Sequence, residues 1–139
     1  MSTYLSKSDF LKYQCCPSYL WLWKFKKDVV PVDDEEEINR RLEQGNEIER
    51  YARDLFPGAI LVDSHGKKAR NKTEQLVKDG VKSIFQATVY TDKELLAMAD
   101  IIVFNDETQT WTLYEVKSTN SVKQEHIYDL AFQRVAFED

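Results

Sequence analysis

The sequence predicts an α/β fold: a helix, three consecutive strands and a closing helix, preceded by an N-terminal helical hairpin. Three observations carry this. Residues 84–117 contain three strand-like runs, IFQATVY, LLAMADIIVF and WTLYEVK, separated by polar turns. Charge-rich segments with apolar residues at helical spacing lie on both sides of them. Only Pro17, Pro31, Pro57 and four glycines interrupt the chain, which excludes linker-like or collagen-like character.

A length of 139 residues points to one domain, with residues 1–31 as the hairpin and 32–139 as the core. With 42% hydrophobic and 31% charged residues, the composition is that of a globular chain rather than a disordered one. No apolar run approaches the roughly 18–20 residues of a membrane helix. The opening MSTYLSKSDFLKYQCC lacks the apolar core of a signal peptide, so a cytoplasmic protein with no membrane partner is expected.

Residues 6–27 read as two short helices meeting near Cys16-Pro17. Ser6 and Asp9 resemble a cap, Phe10 and Tyr13 give an apolar face, and Pro17 suits a first helical turn. The aromatics from Tyr19 to Phe25 either anchor the hairpin to the core or, with Lys24, Lys26 and Lys27, stack bases; anchoring is the expectation. Cys15 and Cys16 are adjacent, which disfavours a mutual disulfide. They are expected to be reduced, buried small side chains.

The acidic run Asp33–Glu37 favours a helix N-terminus, and the helix should continue through Ile38, Leu42, Glu49 and Ala52 to about Leu55. Phe56-Pro57-Gly58 ends it. Ala59–Asp63 reads as a short strand, Ser64–Lys72 as a polar loop, and Thr73–Lys78 as a brief helix stopping at Gly80. The strands are Ile84–Tyr90, Leu95–Phe104 and Trp111–Lys117. Ser121 and Gln124 form a capping-box pattern opening a last helix with Ile127, Leu130, Ala131 and Val135 on one side.

The net charge of −5 is uneven: five lysines face two acids in residues 1–31, and nine acids face four arginines in residues 32–58. A protein coating nucleic acid by charge alone would be basic throughout, so any such contact is local or a bound cation offsets the acids. Lys67, Lys68, Arg70 and Lys72 form a cluster that could touch phosphates or simply be a solvated loop. His65 and His126 lack partners at metal or triad spacing and read as surface residues. Ser118, Thr119 and Ser121 read as loop and cap residues.

The strongest chemical signal is one charge inside each of two apolar strands. Asp100 interrupts LLAMADIIVF, and Glu115 with Lys117 interrupts WTLYEVK. Buried isolated charges are costly unless paired or bound to an ion. If Asp106–Gln109 form a four-residue hairpin loop, Asn105 pairs with Thr110 and Asp100 lies opposite Glu115, with Lys117 on the same face. Two facing carboxylates repel; a divalent cation such as Mg²⁺ or Mn²⁺ removes that cost. The competing reading is a salt bridge in which Lys117 neutralises one or both acids.

Asp100, fourteen intervening residues, then Glu115-Val116-Lys117 resembles the PD-(D/E)XK nuclease signature, nearest to its RecB-like and Cas4-like branch. Gly45-Asn46-Glu47-Ile48-Glu49 looks like that branch's GxxxH motif, with Glu49 in place of histidine. Gln133-Arg134-Val135-Ala136-Phe137 looks like its QxxxY motif, with Phe137 in place of tyrosine and expected in the core. The whole chain also resembles the opening segment of a larger, poorly characterised bacterial group within this superfamily.

The resemblance implies a restriction-endonuclease-like core and a metal-dependent deoxyribonuclease. Asp100, Glu115, Lys117 and Gln133 would be catalytic, and Glu49, Asp100, Glu115 and the Val116 carbonyl would hold Mg²⁺ or Mn²⁺. The last core strand is missing from the sequence, so a C-terminal segment or a homo-oligomer would complete the sheet. The cysteine cluster of iron–sulfur relatives is incomplete, and no cluster is expected. The alternatives are a catalytically silent nucleic-acid-binding or protein-interaction module on the same scaffold, and a nonenzymatic domain held by a salt-bridge network.

Overall fold

The computed structural model describes residues 4–31 and 34–139; Asp33 of the acidic run lies outside them. The chain begins with strand β1 (Leu5–Ser6), helices α1 (Lys7–Cys15) and α2 (Pro17–Phe25), and one 3₁₀ turn (Lys27–Val29). Helix α3 (Glu35–Asp54), strand β2 (Ile60–Leu61) and helix α4 (Gly66–Lys78) follow. Strands β3 (Ser83–Tyr90), β4 (Leu95–Asn105) and β5 (Thr110–Tyr114) precede helix α5 (Gln124–Glu138). The described residues form a mixed α/β fold with five α-helices and a mixed five-stranded sheet. No helix among the described residues is long and apolar enough to cross a membrane.

The N-terminal hairpin forms as the sequence predicts. The Ser6 hydroxyl accepts the Asp9 N–H at 3.3 Å, and the Asp9 carboxylate accepts the Ser6 N–H at 2.9 Å, a reciprocal capping box. Pro17 occupies the first turn of α2, where its missing N–H costs nothing. Lys24 of α2 ties the two helices together, 2.9 Å from Asp9 and donating to the Tyr4 carbonyl at 3.0 Å. The aromatics anchor α2 less completely than expected. Trp21 and Phe25 are half exposed, and the ammonium groups of Lys12 and Lys27 both lie over the Trp23 ring. Cys15 and Cys16 are exposed, not buried, because they sit at the bend between the helices, away from the sheet.

Helix α3 opens on Asp34, whose carboxylate accepts the Glu36 N–H at 3.0 Å, with Glu35, Glu36 and Glu37 at the positive end of its dipole. It ends before the turn at Gly58, whose φ of +84° is accessible to glycine at little cost. The expected polar loop at 64–72 is instead most of α4. Ala69, Thr73 and Leu76 recur at helical spacing and are all buried, so the lysines and arginine between them are outward-facing helix positions. Thr73 also accepts the Thr88 N–H at 2.9 Å, fastening α4 to β3 beyond the end of β2.

The sheet runs β1-β4-β3-β2, with β5 also on β4. The β3–β4 and β4–β5 pairs are antiparallel, while β1–β4 and β2–β3 are parallel. Asn105 pairs with Thr110 and Ile101 with Tyr114, the register predicted from the four-residue loop. One apolar cluster joins Leu76 and Ala69 of α4 to Ile84, Ala87, Ala99 and Ile102 of the sheet. A second joins Phe132 and Ala136 of α5 to Ala97, with Phe10 stacked on Phe132 at 5.5 Å between ring centroids. Phe137 packs against both clusters, as expected of a core residue.

Helix α5 departs from its predicted form in two ways. It starts at Gln124 behind Lys123, whose N–H donates to His126 Nδ1 at 3.1 Å, so Ser121 is not its cap. Its buried face is Asp129, Phe132, Gln133 and Ala136, while Ile127, Leu130, Ala131 and Val135 face outward. The polar pair wins the inward face because it meets charged partners there.

Replacing Asp9 by alanine removes half the capping box and leaves Lys24 without its carboxylate. The expected loss is about 1–3 kcal/mol, read as a lower urea midpoint. An unchanged midpoint would contradict this account of the hairpin.

Candidate functional site

The site forms at a break in one edge of β4. Strand β1 pairs with β4 only at Leu95 and Leu96, and β5 only from Ile101 to Asn105. Strand β3 occupies the opposite edge, so β1 and β5 share this one and leave Ala97–Asp100 uncovered between them. Because β1 runs parallel to β4 and β5 antiparallel, the two chains run toward each other along the break. The residue after β1 is Lys7, and the residue after β5 is Glu115. Lys7 Nζ lies 2.9 Å from Glu115 Oε1.

Strand β5 stops at Tyr114 rather than Lys117 because the next ladder position is taken over by a side chain. The Val116 N–H donates to Asp100 Oδ2 at 2.7 Å. Glu115 and Lys117 thus leave the sheet beside Asp100, and α5 receives them. Lys117 Nζ donates to Glu115 Oε1 at 2.6 Å and to Asp129 Oδ2 at 2.8 Å. Gln133 Nε2 donates to Glu115 Oε2 at 2.7 Å and to Asp129 Oδ1 at 3.0 Å. Lys7 also approaches Asp129 Oδ1 at 3.4 Å. The Glu115 and Asp129 side chains are 6% and 3% exposed, so these contacts act with little screening by water.

The charges are unequally satisfied. Burial opposes ionisation of Asp129, but the Lys117 hydrogen bond, the Lys7 charge and the Gln133 amide outweigh it and hold its carboxyl below the usual range. Burial would lower Lys117 as well, yet its bonds to Asp129 and Glu115 push it above the ordinary lysine range. Asp100 goes the other way. Burial first, then the Glu115 carboxylate, pushes it up to about 6, against the Val116 N–H and the Lys7 charge. Glu49 adds to that rise.

Glu49 comes to the site from the C-terminal half of α3. Its Oε1 accepts from Gln86 Nε2 at 2.6 Å and from Arg53 at 2.8 Å. Of the sequence-predicted residues, Glu115, Lys117 and Gln133 bond one another, Asp100 joins through the Val116 N–H and the Glu115 charge, and Glu49 acts on Asp100 through its charge. Lys117 bridges Glu115 to Asp129, not to Asp100, so the expected salt bridge exists with a different second acid. Lys67, Lys68, Arg70 and Lys72 lie on α4, where Arg70 pairs with Glu74. His126 is largely buried and caps α5, while His65 stays exposed.

Two residues of the network were not singled out from sequence. Asp129 had a readable signal, an acid inside the apolar run IYDLAF four residues before Gln133. Lys7 had none, since its arrival depends on the parallel pairing of β1. A cleft of about 410 Å³ opens beside Glu115 and Lys117, walled by Thr119–Val122 and by His126, Ile127 and Leu130 of α5. Among the described residues, no three Cys, His, Asp or Glu side chains stand close enough together to hold a metal ion. Asp100 and Glu115 carry hard carboxylate oxygens of the kind a divalent cation such as Mg²⁺ or Mn²⁺ takes. No family model, curated protein or solved structure matches this chain.

The raised Asp100 makes stability depend on pH. Between about pH 4 and pH 6 the folded chain holds a proton on Asp100 that the unfolded chain has released, so stability falls as pH rises through that window. Asp100→Asn should abolish this fall and raise stability at pH 7 by on the order of 2 kcal/mol in the absence of divalent cations. Thermal melts of both proteins from pH 4 to pH 8 read it directly, and parallel profiles would refute it.

Proposed function

We propose that this chain carries a divalent-cation-dependent phosphodiester hydrolase site of the PD-(D/E)XK type, acting on DNA. The observation that supports it most is the placing of Asp100, Glu115 and Lys117 side by side at the open edge of β4, Glu115 bonded to Lys117 and Asp100 raised by burial and by the Glu115 charge. Asp100 and Glu115 would hold Mg²⁺ or Mn²⁺, with Glu49 and the Val116 carbonyl nearby on the expectation drawn from the sequence. When bound, the cation would lower the pKa of a water molecule and offset charge developing on the phosphate.

The protein's own groups divide the remaining work. Lys117, held protonated by Glu115 and Asp129, is suited to stabilise negative charge on a phosphate rather than to remove a proton. Gln133, fully buried, fixes Glu115 Oε2 and Asp129 Oδ1 through one amide nitrogen and so aligns the acid with the ammonium. The cleft beside Glu115 and Lys117 gives a phosphodiester a route to both.

A catalytically silent binding module is the second reading. Both oxygens of Glu115 are already engaged by Lys7, Lys117 and Gln133, which is how a structural ion network would look. Cleavage of single- and double-stranded DNA with Mg²⁺ or Mn²⁺ separates the two. The nuclease reading expects cleavage that falls at least about a hundredfold in Asp100→Ala and Lys117→Ala. Cleavage that survives both substitutions would eliminate it, and binding without cleavage would favour the silent module.

A further inference from the structure

Lys7 enters the site from outside the core, on the first residue of α1. Its ammonium lies 2.9 Å from Glu115 and 3.4 Å from Asp129, and its charge also acts on Asp100. The side chain is 27% exposed against 6% and 3% for its two acidic partners, so it reaches the buried acids from the solvent side. Lys117 reaches Glu115 and Asp129 but makes no bond to Asp100. Lysine carries its charge on a flexible four-carbon stem and presents three rotatable donors, so it can leave an acid without rebuilding the backbone.

We propose that Lys7 is a tethered counter-ion of the Asp100–Glu115 pair, neutralising it without a divalent cation and competing with that cation for Glu115. This rests on the reading that the site takes Mg²⁺ or Mn²⁺, and goes beyond it by making the N-terminal hairpin part of cation binding. A divalent cation brings twice the charge to the same oxygens and displaces the ammonium. The link between Lys7 and Glu115 is then lost, and with it the contact between the hairpin and the end of β5.

Mn²⁺ binding to the whole chain, measured by titration calorimetry and by the rise in melting temperature, tests the competition. Lys7→Met should bind Mn²⁺ at least about tenfold more tightly than wild type, because a positive charge a few ångströms from the cation has been removed. Lys7→Arg should remain close to wild type. Hydrogen exchange of the wild-type protein supplies a measurement that does not depend on a variant folding: saturating Mn²⁺ should speed exchange of the α1 amides. Equal or weaker Mn²⁺ binding by Lys7→Met, or unchanged α1 exchange if that variant does not fold, overturns the proposal alone. A wild-type chain with no Mn²⁺ response by either method overturns both the competition and the cation reading beneath it.

Discussion

The interrupted edge of β4 is the constraint on which the site depends. A continuous strand there would have paired the backbone of Ala97–Asp100 and kept Lys7 and Glu115 apart. Instead, two short strands of opposite direction end facing each other, and the Asp100 side chain takes the Val116 N–H in place of a ladder carbonyl. That hydrogen bond both ends β5 and turns Glu115 and Lys117 toward α5. A buried donor left unpaired would cost about 1–3 kcal/mol, so the Asp100 carboxylate is held in place by a backbone requirement.

The electrostatics follow from that geometry. Lys117 and Gln133 each bridge Glu115 and Asp129, so two acids share two donors, and Lys7 adds a third from the hairpin. Asp100 lies at the margin of this network with one N–H and the field of Lys7 in its favour, and burial and the neighbouring glutamate against it. Such an arrangement stores unfavourable energy in one carboxylate while fixing the others firmly.

Much of this was legible from local pattern. The hairpin register followed from a four-residue loop, and it brought Asp100 and Glu115 together because side chains alternate along strands. The first two helices followed from Ser6, Asp9 and Pro17. What failed was tertiary. The lysine-rich stretch at 67–72 reads as a polar loop unless Ala69, Thr73 and Leu76 are counted as one buried stripe. In α5, apolar spacing puts Ile127, Leu130, Ala131 and Val135 on one side, but the fold turns Asp129 and Gln133 inward toward Lys117 and Glu115. Lys7 was invisible for the same reason: strand β1 is two residues long and pairs with a segment ninety positions away in sequence.

Gln86 shows what the placement of Glu49 requires. It lies between the Phe85–Ile101 and Ala87–Ala99 pairs of β3 and β4, opposite Asp100, with φ at +56°, a conformation that costs a residue with a side chain on the order of 1 kcal/mol. Glycine would relax the backbone there but remove the amide that holds Glu49. Helix α3 buries none of its residues, so it is steered onto the sheet by a few polar and aromatic contacts, among them that amide and the Arg53 guanidinium over Phe85. The twist at one strand position thus serves as a hinge-pin for a twenty-residue helix, and a chain relaxed at that point would gain a smoother sheet and lose its grip on α3.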